Sequence, residues 1–138
     1  VDKALKGVDA VVHLAAAVGV GQSMYKICHY TSVNDIGTAT LLEALAPHDI
    51  NKLVVASSMS IYGEGCYQDS RRRMAEVSER SREQLARGEW ELHDAHGSTL
   101  SPMPTPESKT PVASSIYALS KYVQERQCLI WGEAYGVP

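Results

Sequence analysis

The chain has 138 residues, enough for one domain at most. With 44% hydrophobic and 21% charged residues its composition is that of an ordinary globular protein, which excludes a wholly disordered or collagen-like chain. A net charge of −3 gives no electrostatic case for nucleic acid or an anionic membrane as partner. No apolar run reaches the ~20 residues of a membrane span. Residues 1–7 have no apolar core ahead of a cleavage site, so no signal peptide is expected. Cys28, Cys66 and Cys128 are widely spaced, without a CxxC pair, and point to a reducing cytoplasm rather than a disulfide framework.

Residues 8–17, VDAVVHLAAA, form a short Val-rich run that is apolar on both faces, which predicts a buried parallel strand. Gly19 and Gly21 predict a loop over residues 19–23. From about Met24 to Leu45 apolar residues return at three- and four-residue intervals, a helical pattern that Pro47 stops. Residues 52–58, KLVVASS, predict a second buried strand ending in hydroxyls. Strand, helix and strand with short connections make an α/β unit built on a parallel sheet.

Composition changes after Gly63. Residues 64–112 hold 16 of the 29 Asp, Glu, Lys and Arg residues, open near the Arg71, Arg72, Arg73 run and close in a proline-punctuated linker at residues 101–106. This stretch reads as a charged insertion into an α/β core made of residues 1–63 and 113–138. Ser114 or Ser115 is the expected N-cap of a helix running to about Ala134, with Gly136 and Pro138 beyond it. Its apolar positions are Ile116, Leu119, Val123, Cys128, Leu129 and Ile130, a stripe that Gln124 and Gln127 interrupt.

Tyr117 and Lys121, four apart on that helix, share one face about 5–6 Å apart. A phenol ordinarily keeps its proton to near pH ~10. An adjacent ammonium favours the phenolate, so the pair suits general acid/base catalysis. Taken alone, such a pair is more often a solvated surface pair. Ser57 and Ser58 stand at the carboxyl end of a buried strand, where ligands of open α/β sheets bind. A serine there either holds a substrate oxygen or serves the turn.

These segments occur in a recognisable order: His13-Leu14-Ala15-Ala16, then Asn34-Asp35-Ile36-Gly37-Thr38, then residues 57–63 (SSMSIYG), then Tyr117 to Lys121. In that order they resemble the extended short-chain dehydrogenase/reductases, and within these the NAD-dependent nucleotide-sugar epimerases and dehydratases. The epimerases of dTDP- or UDP-linked hexoses, including those similar to dTDP-L-rhamnose 4-epimerase, come nearest. The resemblance covers residues 8–63 and 113–138. It implies a Rossmann-like doubly wound parallel sheet, NAD as cofactor (with NADP left open), a nucleotide-sugar substrate and a homodimer formed through the two long helices. Tyr117 becomes the acid/base, Lys121 the residue bridging to the nicotinamide ribose, and Ser58 the holder of the reacting sugar hydroxyl. Leu14, Ala15 and Ala16 line the cofactor, and Asn34 orders the active-site backbone. The implied reaction is 4-epimerisation through a transient 4-keto sugar.

Departures from the pattern are also informative. The strand, GxxGxxG turn and helix that hold the pyrophosphate have no counterpart here, and Gly19 and Gly21 follow the wrong strand. The chain is therefore read as an internal fragment of a larger enzyme, inactive by itself. Ser58-Met59-Ser60 stands where 4,6-dehydratases carry Thr followed by Asp-Glu, which disfavours dehydration against epimerisation. A 4-keto-sugar reductase and a non-catalytic remnant are the remaining alternatives. Cys66, His93 and His96 are possible zinc ligands, but three candidates do not fill a tetrahedral site, and no metal is expected.

Overall fold

The computed structural model describes residues 1–75 and 77–138, with nothing said of the Asp2 side chain. Its contacts divide the chain into two compact units, Val1–Ile61 with Ala113–Pro138, and Tyr62–Val112.

The first unit is α/β. After a short helix α1 (Asp2–Leu5), strand β1 (Ala10–His13) pairs in parallel with β2 (Lys52–Val55), in the register Ala10↔Lys52 to His13↔Val55. Both strands are shorter than the apolar runs that predict them. Beyond His13 the backbone leaves the ladder because side chains capture it: the Asn34 carboxamide accepts from Ala17 N at 2.7 Å and donates to Ala17 O at 3.1 Å. Strand alternation sends Val11, Leu53 and Val55 onto a core of Leu5, Leu42, Leu45, Ile50 and Cys128. The opposite face is open, with Val12 62% and Val54 46% exposed, so these strands are covered on one face rather than two.

The expected loop over residues 19–23 is instead a short helix, α2 (Val20–Ser23). The expected helix to Leu45 begins at Ile27, in three consecutive parts: α3 (Ile27–Tyr30), a π-helical stretch (Thr31–Ile36) and α4 (Gly37–Leu45). Such π segments are rare and are frequent at functional sites. Within this one Asn34 is buried, and one turn on so is Thr38, whose hydroxyl donates back to Asn34 O at 2.6 Å.

Helix α6 (Ile116–Tyr135) closes the unit. Ser115 caps it, accepting from Ala118 N at 3.0 Å, and Gly136 ends it in the left-handed conformation at φ 68°. The chain then folds back: Val137 N donates to Gly132 O at 2.8 Å, and Pro138 O accepts from Leu53 N of β2 at 3.1 Å. Gly132 is where this return crosses the helix, since a Cβ there would stand 2.6 Å from Val137 O. The inward face of α6 is not the expected apolar stripe. Tyr117, Ala118, Ser120, Lys121, Gln124, Cys128 and Gly132 are buried, while Leu119, Leu129 and Ile130 are about half exposed. Small residues let the helix approach its neighbours closely, and the larger apolar ones are left outside.

In the second unit an antiparallel sheet is ordered β4-β3-β5, from β3 (Cys66–Gln68), β4 (Met74–Ala75) and β5 (Ser101–Met103). The expected proline-rich linker is thus partly a strand, with Pro102 opposite Tyr67. The arginine run forms a built turn. The Asp69 carboxylate accepts from Arg71 N, Arg73 N and the Arg73 guanidinium, bonds that hold it below the usual carboxylate range. A short helix α5 (Arg82–Ala86), capped by Ser81, follows. Trp90 is exposed. The two ends of the unit meet: at Gly63 (φ +62°) a Cβ would lie 2.7 Å from Val112 O, and Lys109 Nζ donates to Tyr62 O at 2.7 Å.

Two outcomes are expected. Helix propensity alone would favour Gly132→Ala by about 1 kcal/mol, but the clash with backbone pinned to β2 outweighs it, so urea denaturation should show a net loss of about 1–2 kcal/mol. Burial of His13, reinforced by the charge of Lys121, holds its imidazole below its ordinary value of 6.5. A depressed base stabilises the fold above its unfolded pKa and loses that contribution as pH falls. The melting temperature should therefore decline on acidification from pH ~7.5 to ~5.5, and His13→Gln should flatten that decline.

Candidate functional site

Because β1 and β2 are parallel, their carboxyl ends share one edge of the sheet, and Ala56 N donates to His13 O at 3.1 Å to continue the pairing past β2. Leu14 and Ala15 emerge there exposed and Ala16 half-buried. Ser58 lies just beyond β2, half-buried, its hydroxyl accepting from Ser60 N at 3.2 Å.

Helix α6 carries Tyr117 and Lys121, both buried. The backbone N–H of Tyr117 donates to Ser23 Oγ at 3.0 Å, so α2 receives the first turn of α6. The Tyr117 ring packs edge-on against buried Tyr30, centroids 6.3 Å apart at 83°. Asn34 ties the segment after β1 to the same helix. Besides gripping Ala17, its Nδ2 donates to Ser120 Oγ at 2.8 Å, and that hydroxyl donates to Tyr117 O at 2.9 Å. Lys121, 3% exposed, donates from Nζ to Gln124 Oε1 at 2.7 Å, and burial pushes its ammonium below the usual lysine range. A buried phenol and a buried ammonium one turn apart, on a helix anchored to the loop at the strand ends, can exchange a proton with a ligand bound at that edge.

The structure brings Tyr117, Lys121, Asn34 and the segment at residues 14–17 into one bonded set. Ser58 makes no hydrogen bond to that set among the described residues. The zinc candidates are not gathered: Cys66 is buried in β3, His93 bridges Thr99, and His96 N donates to Asp94 Oδ1 in a turn. Among the described residues no group of three His, Cys, Asp or Glu side chains is placed to hold a metal. His13, Thr38, Ser120, Ser23 and Gln124 belong to the site without having been singled out by spacing. The available signal was Gln124, a polar residue interrupting an apolar stripe three positions after the lysine.

Residues 1–87 match the NAD dependent epimerase/dehydratase family. The dTDP-L-rhamnose 4-epimerase of Burkholderia thailandensis is 31% identical over 132 residues, which are 94% of this chain and 35% of that protein. UDP-glucose 4-epimerase 1 of Oryza sativa subsp. japonica is 46% identical over 55 residues, 40% of this chain and 16% of that protein. The crystal structure of UDP-glucuronic acid 4-epimerase from Bacillus cereus, in complex with UDP-glucuronic acid and NAD, superimposes with a TM-score of 0.68 at 24% identity. It covers 99% of this chain and 32% of that one, a likeness of fold. The chain thus spans about a third of the length of the relatives it matches almost throughout. With its Rossmann-like α/β fold and a family match over more than half its residues, the chain belongs to the NAD dependent epimerase/dehydratase family.

Proposed function

We propose that this chain supplies the acid/base centre of an NAD-dependent nucleotide-sugar 4-epimerase, as part of an NAD-binding domain with core residues 1–63 and 113–138 and an insertion at 64–112. The carrying observation is the burial of Tyr117 and Lys121 one turn apart on α6, bonded through Asn34 and Ser120 to the loop at the strand ends. Identity to a dTDP-L-rhamnose 4-epimerase across most of the chain supports the choice of reaction.

The residues suit the nicotinamide-ribose end of NAD. A buried ammonium has N–H groups to spare beyond its bond to Gln124, whose amide also holds Ala15 O in the exposed Leu14-Ala15 segment. The sequence offers no glycine-rich strand-to-helix turn for the pyrophosphate, so these residues account for one end of the cofactor. When bound, NAD supplies the redox chemistry of the sugar carbon. The residues of this chain do the rest. Tyr117 takes the proton of the sugar 4-hydroxyl and later returns it, and Lys121 places a positive charge beside the phenol and the ribose hydroxyls. Ser58 holds the reacting oxygen, and Leu14, Ala15 and Ala16 form the wall against the cofactor. Asn34 keeps that wall in register with α6.

The three free thiols suit the cytoplasm, and among the described residues no helix is long and apolar enough to cross a membrane. A homodimer is part of the proposal: α4 and α6 leave a groove between Ala39, Leu42, Ile130, Trp131 and Ala134, and Ile130 is among the exposed apolar residues beside it.

In the full chain, assayed with dTDP-L-rhamnose and UDP-glucose, Tyr117→Phe should lower turnover about 10²–10⁴-fold while NAD affinity stays within about threefold; retained turnover would overturn the assignment. Ile130→Glu should shift the full chain from dimer to monomer in sedimentation equilibrium, with its circular dichroism unchanged.

A further inference from the structure

Lys121 is buried without a carboxylate. Among the described residues the ion pairs are Arg73–Asp69, Arg80–Glu64 and Arg87–Glu89, all in the second unit. Lys121 is instead held by Gln124, one turn further along α6 and fully enclosed.

The orientation of that amide follows from its neighbours. The Thr38 hydroxyl donates its one proton to Asn34 O at 2.6 Å, so its oxygen can only accept from other groups. Gln124 Nε2 donates to it at 2.8 Å and to Ala15 O at 3.3 Å. His13 Nε2 lies 2.8 Å from the same oxygen and 3.2 Å from Gln124 Nε2, its role in each contact set by its tautomer. Reversing the amide would set its N–H groups against an ammonium and its oxygen against the Thr38 oxygen, which has no proton left to give. Gln124 Oε1 therefore faces Lys121, fixed from the other side by β1 and α4.

We propose that Gln124 is a positioning residue for Lys121: its uncharged oxygen fixes the buried ammonium against the inward face of α6 while leaving the positive charge unneutralised. A glutamate would hold the same nitrogen but cancel the charge that the phenol needs beside it, and an apolar residue would leave the ammonium unheld. The amide satisfies both demands. The proposal rests on the reading of Lys121 as the partner of Tyr117.

The titratable groups that feel the Lys121 charge are His13 from β1 and Cys128 from its own helix. Burial pushes Lys121 down and the Cys128 thiol up, and the lysine charge draws the thiol partly back. A hydrogen bond accepted from the charged form opposes the effect of burial on Lys121.

The test reads Lys121 directly, by NMR titration of the lysine ε-CH₂ signals in the full chain without cofactor, with Lys121→Arg assigning the resonance. Gln124→Met should move the Lys121 titration about one pH unit lower, a tenfold loss of proton affinity, and Gln124→Glu about one unit higher. A titration unchanged in either folded variant would overturn the proposal. An independent readout needs no substitution. In the wild-type chain the Lys121 ammonium protons should be visible, slow to exchange and close to the Gln124 side chain. A rapidly exchanging ammonium would sink the idea. Retained turnover in Tyr117→Phe would defeat the enzymatic reading without moving either signal, so the two failures are separable.

Discussion

The first unit is organised around a polar group that has no water to turn to. Gln124 is fully enclosed, and its amide bonds to the segment after β1 through Ala15, to α4 through Thr38 and to its own helix through Lys121. An amide buried without partners is costly by about 1–3 kcal/mol on protein scales. The approach of three elements is therefore set by the length of one side chain. An apolar contact would tolerate sliding along the helix axis, whereas this set of bonds tolerates one register of α6 against β1.

Asn34 performs a parallel task from the π-helical stretch, where the backbone is wound more loosely, and its carboxamide both donates to and accepts from Ala17. A loop held by a side chain in this two-point manner has the geometry of a strand pair without a second strand. The segment after β1 can therefore stay extended and exposed at the sheet edge. Together Asn34 and Gln124 hold the backbone after β1 at Ala17 and Ala15.

Much of this architecture was legible in the sequence. The Val-rich runs located both strands, the Pro47 stop and the Ser115 cap located helix ends, and the four-residue spacing of Tyr117 and Lys121 located the proposed acid/base pair. What periodicity missed was the side of α6 that turns inward. Hydropathy points to Leu119, Leu129 and Ile130, but Ala118, Ser120 and Gly132 are the residues that permit close approach, and Lys121 and Gln124 satisfy each other once inside. A polar residue reads as solvent-facing until its partner is known, and here the partners come from residues 13–38, far away in the chain. The π stretch was invisible for a related reason: nothing in the hydropathy of residues 31–36 distinguishes it from ordinary helix.

The closed ends of the second unit have a consequence for how such a chain can change over time. Gly63 and Val112 touch, so the distance between the two ends of this unit is set by that closure rather than by the number of residues between them. Loop entropy grows only slowly with length. Whole hairpins can then be gained, trimmed or replaced inside residues 64–111 while the distance between the ends of the unit stays constant. The segment is free to diversify between its closed ends, and Gly63, which has room for no side chain, is the position where that freedom stops.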